Sequence, residues 1–449
     1  MDLLLTHGYF LAEDPKEQRI MKPYPPLGIL YLSSHLRREG FDVEVYDSTF
    51  GSRGGLLKLL ESEQPSVLGV YANLLTRGEV VRIAQDAKAR GWFVVLGGPE
   101  PANYAAEYLD AGADVIVRGE GERAMAALLA RLKSGGTLSE DLPSLIYRAA
   151  DGLLVNTPAA PLIENLDGQP WPDREQIDIE RYVHTWRERH GRGSLSVITA
   201  RGCPYHCRWC SHSVYGKTHR RRSATNVVDE VEFLLDRYEP DMLWIADDVF
   251  TIHHGWLAAY AGEMRRRGLK VPFECITRAD RVNERVAGML AELGCLRVWI
   301  GSESGSQRIL DAMQRGVTVE QVQRAVELCR ASGIETGMFI MWGYEGEQME
   351  DVEATVAHVR KCQPEVCLTT VSYPIKGTPY HDQIASKLVN IGGWQESTDR
   401  DIAVHGRHSR RFYQFADALL KAETAPVHDD ALIAAAREGL AASMHEVEV

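Results

Sequence analysis

Short apolar runs alternate with amphipathic stretches twice along this chain, and that alternation restricts the fold more than any single residue does. In the first series the runs are "LLLT" (3–6), "VEVYD" (43–47), "VLGVYA" (67–72), "FVVLGG" (93–98) and "DVIVRG" (114–119). Between them, stretches such as "LGILYLSSHLRREG" and "EVVRIAQDAKARG" have helical periodicity, and Gly40, Gly91 and Gly112 stand where helix C-caps belong. A helix between two strands returns the chain to the same end of the sheet, so the strands run parallel. Residues 1–140 are therefore expected to form a doubly wound, Rossmann-like α/β domain with its crevice at the C-terminal strand ends. His7, Asn73, Gly97, Gly98, Gly119, Glu120 and Gly121 fall at those ends. Ordinary βα-loop chemistry is the competing explanation for them.

Residues 141–192 read as a linker, because Pro143, Pro158, Pro161, Pro170 and Pro172 break any long helix, with a small hairpin near "SLIYRAADGLLVN". A second alternating series follows: "LSVITA" (195–200), "MLWIADD" (242–248), "FECITRA" (273–279), "LRVWIG" (296–301), "ETGMFIMWG" (335–343) and "EVCLTTVSYP" (365–374). Six βα units predict a curled parallel sheet over 193–385, a partial (β/α)6 TIM-like barrel short of the eight units that close a full one. Its active site is expected at the strand C-termini. Residues 386–449 read as a small helical C-terminal region with helical patterns at 410–421 and 428–443.

A chain of 449 residues with net charge −13 is ample for several cores and is a poor general binder of nucleic acid. It contains no apolar run of the roughly 18 residues needed to span a membrane, and "MDLLLTHGYFLAED" lacks a charged leader. A cytoplasmic location is expected, where cysteines stay reduced and a tight group of them binds metal.

"RGCPYHCRWCSHS" (201–213) is such a group, with Cys203, Cys207 and Cys210 directly after the first strand of the second series. Structural zinc takes four protein ligands, and His206 or His212 would supply the fourth. A [4Fe–4S] cluster held by three thiolates instead keeps one iron open for a ligand. The place of the loop, at the active end of a barrel, favours the second reading.

Cys-x3-Cys-x2-Cys on this loop, with Trp209 before the last cysteine, resembles the radical S-adenosylmethionine superfamily. In that family the open iron chelates the amino and carboxylate groups of S-adenosylmethionine, and one-electron reduction yields a 5′-deoxyadenosyl radical. Later segments resemble it too: "IADDVF" (245–250), "TRAD" (277–280), "GSESGS" (301–306), "GMFIMWGYEGE" (337–347) and "YPIKGTPYHD" (373–382). The resemblance makes Trp209, Asp247, Arg278, Ser302, Glu303 and Gly343 the expected contacts of S-adenosylmethionine. Tyr344-Glu345 departs from the usual Leu-Pro pair.

"YPPLGILYLSSHLRREGFDVEVYD" (24–47), "VVLGGPEP" (94–101) and "DVIVRGEGE" (114–122) resemble the cobalamin-binding domain fused to one radical subfamily. The resemblance implies a cobalamin site at the first domain's strand ends. The Asp-x-His-x-x-Gly signature for a lower cobalt ligand is absent, and no Asp lies two residues before His7.

The resemblance thus implies a cobalamin-dependent radical enzyme that methylates an unactivated carbon of a small-molecule or natural-product substrate. It would be served by a reducing donor such as flavodoxin or ferredoxin. A radical cyclase, oxidase or rearranging enzyme is the alternative. A transfer-RNA methylthiotransferase fits less well, because there is no further N-terminal cysteine cluster and no basic tail. A non-catalytic metal- or corrinoid-binding module is the rival from another class.

Among the remaining features, the basic run "GKTHRRRS" (216–223) reads as a solvated loop or as a clamp for a substrate anion. Tyr9, Tyr24 and Tyr71 are candidates to touch a corrin, with core packing the alternative. Cys275, Cys295, Cys329, Cys362 and Cys367 have core spacing.

Overall fold

The computed structural model describes residues 1–427 and 429–449. Seven strands build the first sheet: β1 (Leu3–His7), β2 (Val43–Val45), β3 (Val67–Tyr71), β4 (Phe93–Gly97), β5 (Val115–Val117), β6 (Leu145–Arg148) and β7 (Leu154–Asn156). Their order is β2-β1-β3-β4-β5-β6-β7. The pairings among β1 to β5 are parallel, and β6 and β7 add on antiparallel. Both faces are covered, with Leu4, Leu68, Val94 and Ile116 in one core and Leu3, Val67, Val95 and Val115 in the other. That is why the strands read as continuous apolar runs.

The hairpin expected inside the linker exists, but it is not a linker element. Leu145, Ile146 and Tyr147 are buried, and β6 pairs with β5, so the sheet runs past residue 140 to Asn156. A proline-rich composition hid an antiparallel extension whose register only the neighbouring strand fixes.

The second sheet uses β8 (Ser194–Val197), and behind it a short ribbon of β9 (Ala200–Arg201) and β10 (Arg220–Arg221). It continues with β11 (Met242–Ile245), β12 (Phe273–Thr277), β13 (Cys295–Glu303), β14 (Glu335–Trp342) and β15 (Val366–Val371). The order is β15-β14-β13-β12-β11-β8, all parallel. Leu195, Leu243, Cys275, Val298, Ile300 and Met338 face the helices in one large core. Cys275, Cys295, Cys329 and Cys362 are buried there as free thiols, and Cys367 packs against it.

The C-terminal region is not a separate tail. Helix Arg410–Thr424 contributes Phe412, Tyr413, Ala416, Leu419 and Leu420 to the barrel core, and helix Asp430–Ser443 adds Ala436 and Leu440. His428, where the second helical pattern was expected to begin, lies outside the described residues. The segment before these helices reaches back to the first domain. Arg77 donates to Glu100 (2.6 Å), to Asp399 (2.8 Å) and to the Ser397 carbonyl (2.8 Å), and the guanidinium and both carboxylates are buried. Among the described residues no helix is long and apolar enough to cross a membrane.

Candidate active site

The cysteine loop leaves the barrel through the β9/β10 ribbon, in which Arg201 pairs with Arg220 and Ala200 with Arg221. Gly202 follows with φ +84°, and a Cβ there would lie 2.4 Å from the Thr218 carbonyl, so only glycine lets the loop turn. Cys207 is buried, while Cys203 and Cys210 are half-buried, and all three thiols are free. Burial, reinforced by the neighbouring thiols, pushes the Cys210 thiol up to about 12.

Two buried guanidinium groups hold this loop. Arg278 donates to Cys207 Sγ (3.8 Å), to Asp280 (2.9 Å) and to the Arg315 carbonyl (2.9 Å), and lies 3.6 Å over the Tyr205 ring. Arg315 donates to Cys207 Sγ (3.7 Å) and to the Gly301 carbonyl (2.8 Å). Arg278 was expected to meet a ligand carboxylate, but its donors serve the protein. Arg315 and Tyr205 are residues that sequence reasoning missed. Tyr205 sits inside the cysteine motif and was open to notice, whereas Arg315 follows a short helix with no signal.

Asp247 accepts from the Thr199 N–H (2.7 Å), the Thr199 hydroxyl (2.5 Å), the Ala200 N–H (3.1 Å) and Arg221 (3.1 Å). Its oxygens are used up holding the root of the loop. Asp248, the second acid of the "IADDVF" segment and a candidate carboxylate partner of Asp247, is exposed, and the protein packed around it and the Asp247 charge raise its pKa.

Glu303 ends β13 in the left-handed region at φ +64°. That conformation costs a non-glycine residue about 1–3 kcal/mol and suits a position fixed by function. Its nearest cation is Arg315 at 3.9 Å, beyond hydrogen-bond distance. Burial raises its carboxyl pKa, and Arg315 and Arg278 oppose that only in part. Ser302, one residue earlier, faces the opposite way and bonds His358 Nε2 (3.0 Å), so the structure separates it from Glu303. Burial drops His358 to about 4 and keeps its ring neutral.

Gly343 is occupied on both sides. Its N–H donates to Glu347 (2.6 Å), and a Cβ would meet the Tyr413 ring at 2.9 Å. Its glycine character answers to the C-terminal helix rather than to a ligand. Trp209 packs in a satellite cluster with Met341, Tyr344 and Tyr380. The basic run is no anion clamp either. Arg220 pairs with Glu120 (2.9 Å), Arg221 with Asp247 and Arg222 with Glu230, and all three side chains are buried.

At the strand ends of the first sheet lies a cavity of about 560 Å³, lined mainly by apolar side chains. Asn73, Gly97, Gly98, Gly119, Glu120 and Gly121 all border it, and so do Tyr24 and Tyr71. His7 does not. Its ring accepts from the Tyr9 N–H (3.2 Å) and faces Asp47 and Thr49 at 3.4 Å each, so it is spent inside the domain. The two glycines where β4 ends, Gly97 and Gly98, differ. A Cβ on Gly97 would meet nothing closer than 4.0 Å, whereas one on Gly98 (φ +110°) would lie 2.3 Å from the Ala72 carbonyl. Val214 and Tyr215, from the segment after the cysteines, close the cavity from the barrel side.

The family description "B12 binding domain" matches residues 19–129, and "Radical SAM superfamily" matches residues 197–359. An uncharacterised methyltransferase of Pyrococcus horikoshii is 31% identical over 397 residues, covering 86% of this chain and 84% of that protein. The chain belongs to the cobalamin-binding radical S-adenosylmethionine family. An anaerobic magnesium-protoporphyrin IX monomethyl ester cyclase of Rubrivivax gelatinosus is 29% identical, covering 81% of this chain and 67% of that protein. In fold, the chain is similar to the radical S-adenosylmethionine methyltransferase TsrM of Kitasatospora setae, solved with cobalamin and a [4Fe–4S] cluster bound. The TM-score is 0.71 at 23% identity, over 86% of this chain and 74% of that one.

The cofactors of this radical enzyme are a [4Fe–4S] cluster, S-adenosylmethionine and cobalamin. The residues present fit them. Three free thiols lie in one loop whose Cys207 meets two guanidinium groups, Glu303 stands nearby with Arg315 no closer than 3.9 Å, and an apolar cavity edged with glycine opens at the first sheet.

Proposed function

We propose that this enzyme methylates an unactivated carbon of a small organic substrate. The observation that carries the reading is a shared wall: Arg201, Val214 and Tyr215, from the segment that carries the cysteines, also line the glycine-edged cavity. When bound, the cluster and S-adenosylmethionine supply a hydrogen-abstracting 5′-deoxyadenosyl radical, and cobalamin supplies the methyl group.

In this reading Cys203, Cys207 and Cys210 hold the cluster, with Arg278 and Arg315 offsetting negative charge on Cys207 through their N–H groups. Glu303 takes the cationic amino group of S-adenosylmethionine, which supplies the hydrogen-bonded cation that Arg315, at 3.9 Å, does not. Gly97, Gly119 and Gly121 leave room for the corrin edge, and Asn73 borders it. Trp209, Asp247, Ser302 and Gly343 act one layer back, supporting the loop and strand ends. Reduction comes from a small donor such as flavodoxin or ferredoxin, in the reducing cytoplasm that suits eight free cysteines.

The test is anaerobic reconstitution followed by product analysis with S-adenosylmethionine and a chemical reductant. 5′-Deoxyadenosine is expected to need the cluster alone, and S-adenosylhomocysteine to need cluster and corrinoid together. 5′-Deoxyadenosine without S-adenosylhomocysteine in the fully loaded chain would sink methyl transfer. It would favour the second reading, a radical cyclase or oxidase, which the 29% identity to the Rubrivivax cyclase supports. Glu303→Ala should weaken S-adenosylmethionine binding by about 1.5–3 kcal/mol while iron content is retained.

A further inference from the structure

The β9/β10 ribbon carries more buried charge than a hairpin needs, and that charge crosses to the other domain. Arg201 donates to Glu120 (2.9 Å) and Glu122 (2.6 Å), and Arg220 donates to both oxygens of Glu120 (2.9 Å each) and to the Ile163 carbonyl (2.8 Å). Glu120 also accepts from the Ile163 N–H (2.9 Å). Arg201, Arg220, Glu120 and Glu122 are all buried. The guanidinium of Arg201 sits 5.5 Å from each of the Tyr31 and Tyr215 rings. Burial pushes the Glu120 carboxyl up, but its Arg220, Ile163 and Arg201 donors outweigh that and hold it below its usual range.

Two facts give this web a direction. Arg201 lies two residues before Cys203, and Arg220 is the first residue of the strand that closes the cysteine segment, so both ends of the segment are tied to one carboxylate. That carboxylate belongs to the Gly119-Glu120-Gly121 turn, and Glu120, Glu122, Arg201, Tyr31 and Tyr215 all border the cavity. The next arginines turn back into the barrel, Arg221 to Asp247 and Arg222 to Glu230. The ribbon is thus gripped from both domains.

Resting on the proposed cofactor placement, we propose that Arg201 and Glu120 are positioning residues that fix the spacing between the corrin and the cluster. A planar fork between two carboxylates has one geometry, so the cysteine loop and the glycine turn move as one body. A lysine at 201 would keep the charge and lose the fork. The two sites would then shift independently without either losing its own ligands.

The experiment loads the full chain with its cluster and with cob(II)alamin. After reduction of the cluster, the dipolar coupling between the two paramagnets is read by pulsed electron paramagnetic resonance. The wild-type chain should give one narrow distance. Arg201→Lys should keep its iron and corrinoid per chain and at least double the width of that distribution. If Arg201→Lys loses a cofactor, Glu122→Gln, which leaves Glu120 bridging both arginines, should broaden it less. Arg407→Lys, which alters the buried Arg407–Glu448 pair near the C-terminus, controls for general destabilisation and should leave the width unchanged. Unchanged widths in both Arg201→Lys and Glu122→Gln, or equal broadening in Arg407→Lys, would overturn the proposal. So would a loss of corrinoid affinity at constant distance, which would make the web a plain cofactor contact. Hydrogen exchange on the corrinoid-free chain decides the matter even where no corrinoid binds and the functional reading fails. Segments 117–124 and 198–222 should lose protection together in Arg201→Lys, and loss in one segment alone would overturn the proposal.

Discussion

Around Cys203, Cys207 and Cys210 the protein turns buried charge toward the loop itself, whereas at Gly97 and Gly119 it leaves out side chains and keeps its buried charge, the Arg201–Glu120–Arg220 web, at the cavity rim. The cysteine loop has no periodic backbone of its own, so Asp247 holds the N–H groups at its root while Arg278 and Arg315, anchored on the Arg315 and Gly301 carbonyls, hold its Cys207 thiol. The cavity sits on strand ends whose positions the sheet already sets, and glycines there leave its floor open. A small, highly charged inorganic ligand calls for donors at fixed points, and a broad organic one calls for room. Removing atoms should therefore damage the first region, and adding atoms should damage the second.

The largest effect expected is at the thiols. Alanine at Cys203, Cys207 or Cys210 should abolish cluster absorbance and most of the iron, measured after anaerobic reconstitution. Cys329→Ala, in the barrel core, should keep all the iron and cost roughly 1–2 kcal/mol. Equal iron loss in Cys329→Ala would erase the distinction between loop and core.

Next comes Arg278→Ala, which strands the Arg315 carbonyl and leaves Asp280 with Arg281 alone and Cys207 with Arg315 alone. A loss of about 2–3 kcal/mol in chemical denaturation is expected, with iron retention falling in parallel. Stability that falls with iron untouched would mean that the guanidinium supports the barrel and not the loop.

The glycine region divides into two outcomes. Gly98→Ala should cost about 1–3 kcal/mol without any corrinoid present, because its φ and the Ala72 carbonyl both exclude a side chain. Gly97→Leu should leave the melting temperature alone and weaken corrinoid binding about tenfold, or 1.4 kcal/mol, by equilibrium titration. If Gly97→Leu binds corrinoid as tightly as the wild type, the cavity does not face the ring there.

The smallest effect concerns Glu347, whose carboxyl burial raises from the usual 4.5 to about 8 despite the Gly343 N–H that bonds it. The folded state then holds a proton that the unfolded chain has released, so stability falls as pH rises from about 4.5 to about 8 and levels off above. Glu347→Gln mimics the protonated form. Its melting temperature should match the wild type near pH 5 and exceed it by about 2–4 °C at pH 9. A constant offset across that range would show that burial does not perturb the carboxyl.

Much of this was legible beforehand, and the failures share a cause. All eleven expected parallel strands form, because burial on both faces writes a continuous apolar run into the sequence. The cysteine loop was found for a similar reason, since its three thiols lie in one short segment. Most of the site residues whose partners pattern alone did not name have those partners elsewhere in the chain. Ser302 turns to His358, Gly343 to Tyr413, Asp247 to Thr199 and the run Arg220-Arg221-Arg222 to Glu120, Asp247 and Glu230.

Local sequence determined the α/β layering, the place of the thiols and the glycine-edged strand ends, because periodicity and short-range spacing express these within one segment. Only the tertiary structure decided which charged side chains face ligands and which face each other. A buried arginine and an exposed one are the same letter, and what separates them is whether the fold delivers a carboxylate to within hydrogen-bond reach. Glu120 meets Arg201 across 81 positions, and no local rule carries that far.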